Sequence, residues 1–441
     1  MPRTRSRSYI REITFLLACV NVALLFVNRF DFRAIPLVSA GMIYRAYPGQ
    51  VFDSHGNPTT DSWHPMRQAA EHIRAHPEIP VYSELFFREH VKFQYPISSL
   101  LILAPFEAAG LDSKTIFWIL AVLSQLSLAI FLGACGMLVV NLLVQGSREG
   151  GLPTTGTRWS VVSATVIMAA SFYPVYKAYY LGQVQMWIDA LLVLGFWCYW
   201  SGRLRWTGVL LGLSALIKPQ YGLFLVWAVL RRQWGAAAGF LAVFILGNLV
   251  SVGIFGWKNN VDYFSVLSYL SMHGESYFPN QSVNGLMNRL LQTGPSLVWQ
   301  GNAFPAFHPV VYAATIATSA IMVTCSLALP LWWRAGGSLV DFSILLLTCT
   351  MASPIAWENH YGVLLPILIL MFTRLDRFRR TERLVLGISF IVVAGEHSWT
   401  NLFAVGWHSI LQSYLFFGAL CIMVLLYLVA RRTMDDLASA F

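Results

Sequence analysis

Long apolar runs recur along almost the whole of this 441-residue chain, separated by short connections in which arginine is concentrated. No other feature constrains the fold as strongly. Runs such as 115–145, 235–256, 309–333 and 409–430 each exceed the roughly 18 residues that cross a hydrocarbon core of about 30 Å at about 1.5 Å per helical residue. Charged residues make up only 12% of the chain and hydrophobic residues 56%, where soluble domains carry about 25% charge. A water-soluble globule is excluded, and no alternating ten-residue segments suggest a membrane barrel. The sequence therefore predicts an all-α integral membrane protein, one polytopic domain over 1–441.

The net charge of +9 comes from clusters between apolar runs, with no basic stripe on a soluble domain. Such clusters read as topology signals and exclude nucleic acid as a partner. The cysteines at 19, 135, 198, 325, 349 and 421 sit inside apolar segments without CxxC spacing, as buried core residues do. The N-terminus has the charge order of a signal peptide but no small-residue cleavage site before Arg29, so an uncleaved first helix is expected.

Arg3, Arg5, Arg7 and Arg11 precede that helix, and the positive-inside rule makes 1–12 a cytoplasmic tail and 30–95 a large external loop. Within the loop, SWHPMRQAAEHIRAH and VYSELFFREHV have mixed faces, as helices on a membrane surface do. Membrane helices then fill 96–430, and 431–441 is a second cytoplasmic tail. Two topologies satisfy parity. In one every apolar piece crosses; in the other, 96–112 and 206–230 are half-helix pairs or re-entrant hairpins, which keeps Arg148, Arg158, Arg203 and Arg205 inside. The rule on short loops favours the second. It places the IKPQYG break near mid-membrane, where irregular backbone survives only if it is buried in protein or lines a cavity. Lys218 in that break is either such a cavity residue or a snorkelling lysine of a simple span.

Asp31 stands at the mouth of the first span, two residues past Arg29. Under the preferred topology Asp31, Tyr95, Gln183, Lys218, Asn280, Gln281, Arg289, Glu358 and His360 all fall outside or in the outer half of the membrane. That is the arrangement expected of an enzyme acting on an external acceptor.

Six stretches in order carry a resemblance: DFRAIPLVSAGMIY, FQYPISSLLILAPF, LGQVQMWIDALLV, ALIKPQYGLFLVWAVLRRQW, NQSVNGLMNRLL and SPIAWENHYGVLLP. The chain resembles glycosyltransferase family 87, a branch of the GT-C superfamily of polyprenyl-phosphate-sugar-dependent transferases. It departs from the family at Ile97, where a second proline is common, and at Asn359, where paired histidines are common. The resemblance implies a GT-C multi-span fold and transfer of one sugar, most often mannose, with inversion. The donor would be a polyprenyl-phosphate-linked sugar in the plasma (bacterial inner) membrane, and the acceptor a glycolipid, wall glycan or protein.

Such a transfer needs a base for the acceptor hydroxyl and cationic donors for the departing phosphate. Asp31 is the candidate base; its plainer role is a helix-end acid beside Arg29 or Arg33. Lys218 and Arg289 are candidates for the phosphate, although an arginine such as Arg289 serves equally on lipid headgroups. His360 would bind the phosphate, position the acceptor or cap its neighbours. Gln183 and Gln185 suit sugar hydroxyls or interhelical glue. Tyr95 and Trp357 suit a pyranose face or an interfacial belt, and Asn280, Gln281 and Glu358 complete the candidate substrate contacts. No metal or other cofactor is expected, because a monophosphate leaving group is matched by two cations and a few amides. A transporter or flippase of lipid-linked sugars is the rival, but it calls for a repeat between halves that the chain lacks. An acyltransferase would need a buried His-Asp or Ser-His pair.

Overall fold

The computed structural model describes residues 59–147 and 155–438. Among them every regular element is helical. Asp31, the first expected span and most of the first-loop motif lie outside the described residues.

The first helix, α1 (Trp63–Ala75), buries Trp63, Met66, Ala69, Ala70 and Ile73. Its apolar stripe packs on protein, with Trp63 against Trp187 at 5.1 Å and Arg67 bonded to Ser113 and Glu107. The region 96–112 is broken into a 3-10 turn, Ile97–Ile102, and the short helix α2 (Ala104–Ala108). Next come α3 (Ser113–Ser147), α4 (Thr155–Ser171), α5 (Tyr173–Tyr180), α6 (Gln185–Trp200) and α7 (Leu204–Ile217). The chain bends by 58° between α4 and α5, where Pro174 begins the new helix, as proline does at a first turn.

The stretch 206–230 does not run straight through. After α7, Lys218 is extended, Pro219–Gly222 forms a 3-10 turn, and α8 (Leu223–Leu230) leads to α9 (Trp234–Phe255). Gly235 lies against Leu204 and Gly247 against Leu216, so α7 and α9 run parallel. Two parallel helices joined by α8 require α7 and α8 to form a hairpin. The close approach depends on glycine: a Cβ on Gly208 would stand 2.0 Å from the Ala236 carbonyl oxygen, and one on Gly239 2.2 Å from that of Arg205. Small residues at such crossings are the usual device of membrane bundles. Since Leu216 meets α9 eight residues short of Phe255, the hairpin tip stops about 12 Å below the end of α9.

Then follow α10 (Trp257–His273), α11 (Val283–Leu290), α12 (Pro309–Trp332), α13 (Leu339–Met351), α14 (Leu364–Thr373), α15 (Arg380–Ala394) and α16 (Tyr414–Ala438). Helices α13 and α14 hold 13 and 10 residues and are buried along nearly all their length. They span only about 15–20 Å, so protein must cover their ends, and they form the centre of the core. Long helices such as α9 and α12 instead present apolar residues outward, among them Leu246, Leu249 and Ile321. An apolar face that no protein covers suits lipid.

One end of the bundle collects the connections with arginine. Tyr199 donates to the Gly337 carbonyl, and Arg231 pairs with buried Asp341 at 2.9 Å while also bonding the Leu327 carbonyl. Trp333 meets Tyr427 at 6.0 Å, and Arg432 bonds the Arg377 carbonyl. The other end holds α5, α10, α11, the turn 353–363 and the segment 396–413. Among the described cysteines all are free thiols.

Candidate active site

That second end encloses a cavity of about 720 Å³. Its walls come from the start of α1, segment 89–95, the α5–α6 connection, the hairpin tip, the loops around Tyr277 and Trp299, and the turn 353–360. The sequence sets this up with breaks: Pro96, Pro174, Pro219 and Pro354 each stand where a helix starts or is interrupted. The freed backbone is satisfied across segments. Asn280 Nδ2 donates to the Glu275 and Pro354 carbonyls, and its Oδ1 accepts from Ala356 N–H. Gln281 N–H donates to the Ala356 carbonyl. Ser282 caps α11 by accepting from Gly285 N–H, as serine does at an N-cap.

Lys218 lies on the cavity wall. Its Nζ is 2.6 Å from Gln185 Oε1 and 2.6 Å from His360 Nε2. Among the described residues it has no carboxylate within ion-pair distance. The nearest acid in the chain of contacts is Asp189, whose Oδ1 accepts from Gln185 Nε2. His360 also lines the cavity, and the 3-10 turn Glu358–Val363 that carries it is buried throughout.

Gln183, Tyr95 and Trp357 line the cavity as expected. Tyr95 meets Ser62 at 2.8 Å, and Ser62 donates to Gln183 Oε1 at 2.7 Å. Four other candidates stand behind the wall. Gln185 is fully buried and acts on Lys218 from beneath. Asn280 and Gln281 are fully buried straps, Gln281 also receiving Leu415 N–H. Glu358 is fully buried and accepts from Tyr414 at 2.8 Å, Tyr173 at 3.2 Å and Lys177 at 2.5 Å.

Arg289 is not brought to the cavity. Its Nη1 donates to the Asn280 carbonyl at 3.0 Å and its Nη2 to Ser413 Oγ at 2.7 Å, and only 2% of the residue is exposed. On an amphipathic helix both faces are open in sequence; packing of α11 under the 406–413 turn turned this one inward.

Several cavity residues escaped the sequence reading. Asp61 lines the cavity and accepts from Gln183 Nε2. Although its side chain is open to the cavity mouth, surrounding protein desolvates it and holds its carboxyl above the usual carboxylate range, offset in part by Gln183 and Lys177. Lys177 lines the cavity beside Glu358. Lys92 pairs with Glu275 at 2.7 Å and lies 3.9 Å over the Trp299 ring; desolvation lowers its pKa and raises that of Glu275. Asn359 lines the cavity with its side-chain nitrogen buried and unbonded among the described residues. The signal that was there for Lys177 is a lone lysine in the aromatic stretch SFYPVYKAYY; Lys92, just after Arg88, Glu89 and His90, had none.

The fold and this cavity define a multi-span helical membrane protein with a lysine-bearing chamber at one end. Residues 93–357 match the family model of glycosyltransferase family 87, and the chain belongs to that family; it is a glycosyltransferase. Among solved structures it is similar to the crystal structure of ArnT from Cupriavidus metallidurans bound to undecaprenyl phosphate. That similarity has a TM-score of 0.35 and 12% identity, and covers 94% of this chain and 77% of that one. No curated protein matches the chain.

Proposed function

We propose that this glycosyltransferase moves one sugar, mannose first among the candidates, from a polyprenyl-phosphate carrier to an acceptor hydroxyl, with inversion. The observation that carries the reading is Lys218: a buried cation on the cavity wall, bonded to Gln185 and His360 and without a carboxylate partner among the described residues. A buried charge is costly to hold unless something compensates it, and a phosphate leaving group is the compensating anion this chemistry supplies. Asp31 takes the acceptor proton as the anomeric carbon is attacked. The sugar–phosphate bond breaks on the opposite face, and the carrier phosphate leaves against Lys218 and His360. The Lys218 ammonium, with the neutral His360 ring that accepts from it, is matched to a monophosphate, so the reaction proceeds without a divalent cation.

We place the cavity on the external face of the plasma membrane. Arg203, Arg205, Arg231, Arg232 and Arg334 sit in short connections at the end away from the cavity, and the positive-inside rule supports a cytoplasmic position for that end. The acceptor is a glycolipid, wall glycan or protein hydroxyl. The test is transfer of radiolabelled sugar from polyprenyl-phosphate-mannose in membranes carrying wild type or Asp31→Asn at matched expression. Transfer by wild type and its loss in the variant, with donor binding kept, is the expected result; transfer that survives Asp31→Asn overturns Asp31 as the base.

A further inference from the structure

We infer that Lys177 is a second cation for the donor phosphate, in the place that sequence alone gave to Arg289. This rests on the polyprenyl-phosphate reading above. Lys177 comes from α5 and Lys218 from the hairpin tip, so nothing in their sequence positions relates them. One short turn does: Glu358 at its start accepts from Lys177 at 2.5 Å, and His360 two residues on meets Lys218 at 2.6 Å. Both lysines line the same cavity.

Between Glu358 and His360 stands Asn359, 2% exposed, lining the cavity with its side-chain nitrogen unbonded among the described residues. A buried donor left without a partner is costly, and this one belongs to the same short turn as Glu358 and His360. Glu358 is a positioning residue. It is fully buried and fixed by Tyr173 and Tyr414, so it cannot itself reach substrate, but it holds the Lys177 ammonium beside the cavity.

Lys92, the other lysine of the wall, is a weaker claimant. Its side chain is 7% exposed against 20% for Lys177, and its ammonium is enclosed by Glu275, Trp299 and Phe304. Lys177 bonds Glu358 and the Tyr173 hydroxyl and still keeps the larger open share of its side chain on the cavity that both line.

The test is binding of undecaprenyl phosphate and of undecaprenol, the same chain without phosphate, to purified protein in nanodiscs. The comparison is wild type against Lys177→Met/Glu358→Gln, a pair that removes both charges together so that neither is left buried alone. Wild type should prefer the phosphate, and the double variant should lose about tenfold to a hundredfold of that preference while its affinity for the alcohol is unchanged. An undiminished preference overturns the role of Lys177. Absence of any preference in wild type instead removes the donor reading itself. Should the double variant not fold, lysine acylation of wild type decides the matter: undecaprenyl phosphate should protect Lys177 and undecaprenol should not, and equal labelling with both ligands overturns the inference.

Discussion

Lys218 Nζ, at the tip of a helical hairpin, stands 2.6 Å from His360 Nε2, which enters from the turn between α13 and α14. The contact ties two interrupted membrane segments together at the cavity wall. Substituting either residue should therefore affect chemistry and not only packing. Lys218→Met is expected to lower kcat/KM by about a hundredfold, the order seen when one donor to a developing anion is removed, and His360→Gln by less. The double variant should lose less than the sum, because both act on one anion. Steady-state transfer kinetics with a polyprenyl-phosphate-sugar donor check this, and strictly additive losses would separate the two roles.

Arg289 should behave in the opposite way. Its guanidinium joins the 277–280 loop to Ser413, and Arg289→Met leaves the buried Asn280 carbonyl without a donor at a cost of about 3 kcal/mol. Thermal unfolding in detergent should shift down while donor affinity of the folded fraction holds. A large loss of phosphate affinity without loss of stability would return Arg289 to the site.

The parallel run of α7 and α9 makes a topological prediction. Single cysteines at Arg203 and Arg232 should label from the same side of the membrane, and one at the exposed His90 from the other. Labelling of Arg203→Cys and Arg232→Cys from opposite sides would contradict the hairpin.

The glycines at that crossing are equally exposed to test. Gly208→Ala must displace backbone, since its Cβ would stand 2.0 Å from a carbonyl oxygen, whereas Gly222 has nothing within 4 Å and an ordinary φ. Overpacking of this kind costs about 1–3 kcal/mol or more. Melting curves should drop for Gly208→Ala and stay near wild type for Gly222→Ala.

His397 supplies a pH dependence. Its Nε2 donates to the Val392 carbonyl and its Nδ1 accepts from the Trp399 indole, a pattern that needs the neutral ring. Desolvation holds its pKa below the ordinary 6.5, the hydrogen bond to Val392 offsetting only part. The folded value being depressed, the contribution of this contact is full above the unfolded-state pKa and is lost as the pH falls below it towards and through the folded-state value. Protection against hydrogen exchange in 396–413, taken relative to the intrinsic rate at each pH, should fall between about pH 7 and pH 5, and His397→Gln should remove that fall.

Much of the architecture was legible in sequence because its signals are local. Apolar runs set the helices, and α3, α9 and α12 begin and end within a few residues of the stretches that predict them. The Lys-Pro break was legible as a cavity feature because backbone freed inside a membrane has few places to go. The candidate site was legible only in part. Lys218, His360, Gln183, Tyr95 and Trp357 reach the cavity. Gln185, Asn280, Gln281 and Glu358 are one layer behind it, since a polar side chain at a helix break is as useful for satisfying freed backbone as for meeting a ligand, and spacing does not distinguish the two.

What the sequence by itself determined is the class: an all-helical membrane protein whose basic connections gather at one end and whose ordered motifs place it in a glycosyltransferase family. These follow from hydropathy, charge and residue order, each a property of neighbouring residues. Tertiary structure alone decided which polar groups share the chamber. The hairpin brings residue 218 to residue 360, and the buried carboxylate of Glu358, in the same turn, holds residue 177 at the cavity wall. Contacts between residues so far apart along the chain depend on where helices cross, and a crossing is fixed by the packing of small residues such as Gly208 and Gly239, which no local pattern encodes.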